Sequence, residues 1–142
     1  MTEYVLGFAF HEDKVLLIFK RKGPAPVIGH LNGIGGKIEG NETPEEAMAR
    51  EFKEECGLAT LPEDWVMKIR MEVVAYDAYI FIMSTRFQVH RVPQQMTDER
   101  VSWQGVHSLE QINVVPNLRW MIPFLYADEK HTAVVRDFTP GK

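Results

Sequence analysis

The chain is expected to fold as an α/β (α+β) protein with helices packed on a mixed β-sheet, and three observations predict it. Short runs rich in β-branched and aromatic residues recur along its length. Two segments carry the apolar spacing of amphipathic helices, and turn-forming residues separate the runs. The 142 residues are 45% hydrophobic and 25% charged, the balance of an ordered globular chain. No repeat, low-complexity tract or linker divides the sequence, so residues 1–142 read as a single domain. A chain of this length buries roughly two-thirds of its unfolded surface, so no metal or disulfide is needed for folding.

Tyr4–Phe10 and Val15–Phe19 are apolar runs around His11-Glu12-Asp13-Lys14, which predicts a strand, a turn and a strand. Lys20–His30 mixes Lys20, Arg21, Lys22 and His30 with Gly23, Pro24, Pro26 and Gly29, the punctuation of an irregular surface loop. Asn32–Lys37 is a glycine-rich turn, too broken for a regular strand. A helix should follow from Pro44 to Cys56. Thr43 supplies the N-cap, Pro44 the first helical position and Glu46 the acid that completes a capping box. Gly57 is the natural left-handed stop. Met48, Ala49, Phe52 and Cys56 form the stripe that faces a core. Val66–Val74 and Tyr76–Val89 predict two strands with a turn or bulge near Ala75–Ala78, and Val101–Val106 a third. Leu118–Ala127 has a second amphipathic pattern, which Pro123 should kink or end. Thr132–Phe138 predicts a terminal strand.

Charge and cysteine content exclude several function classes. A formal net charge of -4 argues against general nucleic-acid binding, while leaving room for a single nucleotide as ligand. Cys56 is the only cysteine, so an intramolecular disulfide and a cysteine-rich zinc site are both excluded. The expected setting is the reducing cytoplasm. No basic stretch followed by a long apolar core opens the chain, and no apolar run approaches the ~20 residues that span a bilayer. No membrane role is expected.

The chemistry concentrates on the first helix. Glu51, Glu54 and Glu55 stand at i, i+3 and i+4, on one face within about a turn. Arg50 and Lys53 could make this a solvated face laced with ion pairs. Alternatively, clustered carboxylate oxygens suit the hard cations Mg²⁺ and Mn²⁺, whose binding relieves their repulsion.

The whole segment Gly36–Leu58 resembles the Nudix box. That pattern is glycine, five residues, glutamate, seven residues, Arg-Glu, an apolar residue, any residue, Glu-Glu, any residue, glycine and an apolar residue. Gly36, Glu42, Arg50, Glu51, Phe52, Glu54, Glu55, Gly57 and Leu58 fill every fixed place. The resemblance implies a Nudix-type α/β/α sandwich. It also implies metal-dependent hydrolysis of a phosphoanhydride in a nucleoside diphosphate-linked substrate. By the same resemblance, Glu51, Glu54 and Glu55, with the carbonyl of Gly35, hold Mg²⁺, and Mn²⁺ is a possible substitute. Glu54 is the usual candidate for the general base, and Arg50 orients the glutamates. Glu42 anchors a loop or reaches the metal through water, and Lys37 reaches a phosphate or is solvated. The small buried Cys56 fills a variable place.

Outside the box, Glu99 resembles the acid that supplies a further metal ligand or base, against an exposed loop acid. Asn32, in Asn32-Gly33, resembles an asparagine used on the base, although that pair is also an ordinary turn. Asn117, in Pro116-Asn117-Leu118-Arg119-Trp120, resembles a residue that reads a purine edge. It could equally be a helix N-cap. Trp65, Trp103, Trp120, Tyr79 and Phe81 could stack on a base but read first as core. The histidines have no metal-ligand spacing. These features are similar to the MutT-like branch, which converts nucleoside triphosphates, including oxidised purines, to monophosphate and pyrophosphate. The spacing of Tyr76 also resembles that of dinucleoside polyphosphate hydrolases. The absence of proline between Pro62 and Pro93 speaks against an ADP-ribose-type member, and a nucleotide-sugar hydrolase stays an alternative. A non-catalytic ligand sensor is disfavoured by the intact glutamates. The partner expected is a small nucleotide, with the protein a monomer or homodimer.

Overall fold

The structure is a computed structural model that describes residues 1–127 and 130–138. Its strands in chain order are β1 (Thr2–His11), β2 (Lys14–Phe19), β3 (Leu31–Asn32) and β4 (Ile34–Lys37), then β5 (Val66–Val73), β6 (Ala78–Arg86), β7 (Val101–Gly105) and β8 (Ala133–Asp137). The helices are α1 (Pro44–Cys56) and α2 (Leu118–Ala127). One mixed sheet runs β3-β2-β1-β6-β5-β8, with β4 added on β1 and β7 on β2. β1 runs parallel to β6 from Thr2↔Ala78 to Phe10↔Arg86. Its other edge is shared. β4 takes Tyr4 to Gly7, while β2 takes only Phe10 and His11.

Side chains alternate across β1, so the sheet is buried on both faces. Phe8 and Phe10 pack with Leu17, Ile69 and Ile82 beneath Leu118, Met121, Ile122 and Leu125 of α2. Val5 and Ala9 pack with Leu16, Ile34 and Met83 beneath Ala47, Met48, Phe52 and Cys56 of α1. Each large apolar side chain so buried contributes roughly 1.5–3 kcal/mol, before the entropy of ordering it is charged. The result is the expected α/β/α sandwich.

Three expectations need correction. The glycine-rich segment does form strand, because β1 offers it a ladder from Tyr4↔Lys37 to Gly7↔Ile34. Pro123 does not end α2: it lies on the exposed side, while the stripe on the other side stays buried. The amide it lacks leaves the Arg119 carbonyl without its helical donor, on the side where water can replace it. Finally, Trp120 is not core, being 39% exposed, whereas Trp65 is buried as expected.

Candidate active site

α1 is held at both ends by the groups its sequence advertises. Thr43 Oγ1 accepts from the Glu46 amide at 3.1 Å, and Glu46 returns the bond to the Thr43 amide at 2.8 Å. Gly57 takes φ 76°, and its N–H reaches the Lys53 carbonyl. The helix therefore starts and stops in register, which fixes where its glutamates stand. It lies against β4, where Gly36 permits the approach of α1 and Gly35 the close pairing of β4 with β1. A Cβ on Gly35 would come within 1.9 Å of the Val5 carbonyl oxygen, and one on Gly36 within 2.5 Å of the Glu51 carboxylate. Gly36 thus reserves the space in which Glu51 is seated.

Arg50 is the hub of the acidic face. Its Nε donates to Glu42 Oε2 at 2.6 Å and one terminal nitrogen donates to Glu42 Oε1 at 2.9 Å, a two-pronged grip. The same terminal nitrogen reaches the Lys37 carbonyl at 3.1 Å. The other donates to Glu51 at 2.9 Å and to Glu54 at 3.2 Å. The bond from Arg50 holds the Glu42 carboxyl below its usual range, helped by the Glu39 amide. Of the two readings of Glu42, loop anchor is the one its contacts match. It ties the segment before α1 to the helix.

Glu51 is 9% exposed, and burial pushes its carboxyl up despite the Arg50 bond, with Glu54 and Glu55 adding to the rise. Glu55 is also raised. Burial leads, Lys20 and Lys22 oppose it, and Glu99 and Glu54 reinforce it. Its Oε2 is buried with no hydrogen-bond partner among the described residues. A buried, partnerless carboxylate oxygen is costly unless a cation completes it. No three acidic, histidine or cysteine side chains among the described residues converge into a finished cage. Arg50 takes oxygens of Glu51 and Glu54, but the Glu54 side chain is 57% exposed and has room to turn towards a cation. The donor set of Glu51, Glu54 and Glu55 therefore fits a hard divalent cation.

Glu99, from the loop before β7, is brought to this cluster although it is distant in sequence. It is 5% exposed and accepts from Lys20 Nζ at 3.0 Å, the Arg21 amide at 2.7 Å and the Lys22 amide at 3.1 Å. Burial pushes its carboxyl up, yet these donors together outweigh burial and hold it below the usual range.

Beside the glutamates lies a cavity of about 400 Å³, within the usual range for small-molecule pockets. Its walls include Asn32, Gly35, Gly36, Lys20, Lys22 and Tyr76. Asn32 Oδ1 accepts from the Gly33 amide at 2.8 Å, so the turn-pair geometry and the cavity position coexist. Lys37 has an exposed side chain and is not part of the wall. Asn117 is not part of it either. Its carbonyl oxygen receives the first bonds of α2, from Trp120 and Met121. Its side-chain amide accepts from the Trp120 indole at 3.1 Å and donates to Asp137 at 3.5 Å. Sequence reasoning assigned nothing to Lys20 and Lys22. The signal was there: a basic triplet at Lys20–Lys22 in a chain of net charge -4.

With this geometry established, comparison with known proteins defines the class. Residues 3–127 match the NUDIX domain, and the chain belongs to that family as a MutT-like phosphohydrolase. It is 29% identical over 131 residues to the mouse oxidized purine nucleoside triphosphate hydrolase, covering 89% of this chain and 81% of that one. It is 32% identical over 78 residues to the 8-oxo-dGTP diphosphatase of Escherichia coli, covering 55% and 59%. The crystal structure of the mutator MutT protein from Bacillus halodurans superposes with a TM-score of 0.76 at 16% identity, covering 96% of this chain and 90% of that one. Nudix hydrolases generally use divalent metals. No helix among the described residues is long and apolar enough to cross a membrane.

Proposed function

We propose that the protein hydrolyses purine nucleoside triphosphates, oxidised ones included, to the monophosphate and pyrophosphate with Mg²⁺. The observation that carries this reading is the adjacency of two things: a cavity of about 400 Å³ and the carboxylate face of α1, which meet at Gly36. A base entering between Asn32 and Tyr76 would leave its phosphates at Lys20, Lys22 and the glutamates. The mouse and Escherichia coli relatives are named for oxidised purine substrates of this kind.

Glu51, Glu54 and Glu55, with the Gly35 carbonyl, would hold the cation. When bound, the cation supplies charge neutralisation on phosphate oxygens and acidification of the attacking water. Glu54, the most exposed of the three, would accept the attacking water's proton on its carboxylate. Arg50 is a positioning residue that keeps Glu51 and Glu42 in place. Glu99 braces Lys20 and the two following amides at the mouth of the cavity, a role its three hydrogen bonds support over that of base or metal ligand. Asn32 offers the base its amide group. Asn117 anchors Trp120 at the start of α2, and Lys37 contributes through the carbonyl that receives Arg50.

The deciding experiment incubates canonical and oxidised nucleoside triphosphates, dinucleoside polyphosphates and nucleotide sugars with protein and Mg²⁺, with products separated by chromatography. Purine triphosphates yielding monophosphate and pyrophosphate at the highest specificity constant support the assignment. Preferential cleavage of a dinucleoside polyphosphate would overturn it, and Tyr76 on the cavity wall gives that outcome a structural route.

A further inference from the structure

Asn32 and Gly33 stand where two strand pairings hand over. β3 pairs with β2 as far as Ile18↔Asn32, and β4 takes up its pairing with β1 at Gly7↔Ile34. Gly33 belongs to neither ladder, and its N–H donates to Oδ1 of the preceding side chain, Asn32, at 2.8 Å. That bond sets a nucleophile beside an electrophile. Cγ of Asn32 is one carbonyl bond beyond Oδ1, so the Gly33 nitrogen and Cγ lie no more than ~4 Å apart. This is close to the separation from which bonds form. Gly33 has no side chain to shield its nitrogen. Space also demands glycine there, because a Cβ would come within 2.8 Å of the Phe8 ring and 3.0 Å of the Gly7 carbonyl oxygen.

The other three asparagines lack this arrangement. Asn41, Asn113 and Asn117 precede Glu42, Val114 and Leu118, whose side chains crowd the approach to the following amide nitrogen. Asn113 donates its side-chain amide to the Gly29 carbonyl at 2.9 Å, and Asn117 is held between the Trp120 indole and Asp137. Asn32 is half-buried, and the 400 Å³ cavity it lines gives water access to it. It supplies the one side-chain amide among the described lining residues, whose charged members are Lys20 and Lys22.

We propose that Asn32 is a site of spontaneous deamidation through a cyclic imide formed with Gly33. Hydroxide removes the proton of the Gly33 amide, and the nitrogen attacks Cγ of Asn32. The N–Cγ bond forms and the Cγ–Nδ2 bond breaks, with ammonia leaving after Nδ2 takes a proton from water. Water then opens the ring at either carbonyl. Opening at Cγ leaves an aspartate. Opening at the backbone carbonyl leaves an isoaspartate, whose main chain is one carbon longer. Water enters, ammonia departs, and no oxidant or reductant takes part. Either product puts an acid in the cavity wall that holds Lys20 and Lys22. The isoaspartate also lengthens the chain where the two ladders meet, against Phe8 and Gly7. The functional consequence rests on the reading of Asn32 as the amide offered to the base: the modification removes its N–H donor and with it the preference for purines.

The test incubates the folded protein in mildly alkaline buffer, beside the same chain in denaturant and the Asn32→Gln variant. Proteolysis and mass spectrometry follow each asparagine, with fragmentation that separates aspartate from isoaspartate. In the folded protein, conversion at Asn32 is expected to be at least tenfold faster than at Asn41, Asn113 or Asn117, to yield both products and to quicken with hydroxide. Its rate should stay within tenfold of that in the denatured chain, or exceed it. Asn32→Gln should persist, because its imide would need a six-membered ring. Conversion at Asn32 no faster than at the other asparagines would overturn the proposal. So would a folded rate more than tenfold below the denatured one, or equal conversion in Asn32→Gln. The consequence is read separately, from kcat/KM of Asn32→Asp for purine and pyrimidine triphosphates, where a loss of purine preference of about tenfold is expected. Unchanged selectivity in Asn32→Asp would overturn the base-reading role of Asn32 and leave the modification standing, so the two failures are distinguishable.

Discussion

The acidic face of α1 and the wall of the neighbouring cavity meet at Gly36, yet they are built in opposite ways. The acidic face comes from one continuous stretch whose helix start, stop and charge spacing all lie within Glu42–Gly57. Its central ion pairs join residues at most eight apart in the chain. The cavity wall is assembled from β1, the loop after β2, β3 and β4, and the β5–β6 turn. Chemistry here is local and specificity is non-local. Substitutions in the two regions should therefore separate turnover from substrate choice.

The largest effect should follow loss of a box glutamate. Glu54→Gln and Glu55→Gln keep shape but remove the charge that a cation needs, and each should lower kcat at least a hundredfold, on the order of 10²–10⁴. Circular dichroism should stay near wild type in both, and melting near wild type in Glu54→Gln, whose side chain is 57% exposed. Turnover in excess chelator, or near-wild-type rates in both variants, would break the comparison at its base.

Glu99→Gln sharpens it. As the brace of Lys20, Arg21 and Lys22, Glu99 should govern binding more than the chemical step. Hydrogen bonds to a charged group are worth about 1.5–3 kcal/mol, so KM should rise roughly tenfold to a hundredfold. The fall in kcat should be smaller. A kcat loss matching that of Glu54→Gln with little change in KM would instead make Glu99 part of the metal site.

Sequence reasoning reached the two regions unequally for the same physical reason. Thr43, Pro44, Glu46 and Gly57 state the limits of α1 outright, and Arg50 with its glutamates lies inside them. By contrast, Leu31–Lys37 becomes strand only because β1 and β2 stand beside it. Local propensity, lowered by Gly33, Gly35 and Gly36, pointed the other way. The bulge that buries Lys68 and the proximity of Glu99 to Lys20 are likewise products of tertiary pairing. No spacing along the chain encodes them. Pro123 shows the limit from the helical side, because packing of Leu118, Met121, Ile122 and Leu125 outweighs one missing hydrogen bond.

A smaller effect concerns protons and metal at the acidic face. Burial and neighbouring carboxylates raise Glu51 and Glu55 in the folded protein. The folded state then binds these protons more tightly than the unfolded chain does. Their contribution to stability is present below the ordinary carboxylate range and is lost as pH rises through their folded values. Mg²⁺ competes for the same oxygens, so its stabilisation should be larger at pH 7.5 than at pH 5. At tenfold excess over Kd the gain at pH 7.5 is about 1.4 kcal/mol, or roughly 4 °C in Tm. Equal shifts at the two pH values, read by differential scanning calorimetry, would show that the ion binds elsewhere.

The smallest and most discriminating effect lies on the cavity wall. Asn32 lines the cavity, whereas Asn117 spends its amide on the Trp120 indole and Asp137. Asn32→Ala should narrow the preference for purine over pyrimidine triphosphates by about tenfold in kcat/KM, the cost of one unmade hydrogen bond of ~1–2 kcal/mol. The hydrolytic step on the best substrate should change less. Asn117→Ala should instead cost about 1 kcal/mol of stability through its lost side-chain bonds to Trp120 and Asp137, with selectivity altered less than threefold. Both variants are read by specificity constants for two purine and two pyrimidine triphosphates, alongside thermal melts. If Asn117→Ala abolishes selectivity at unchanged Tm, its amide leaves Trp120 for the base when substrate enters, and the N-terminus of α2 joins the recognition surface.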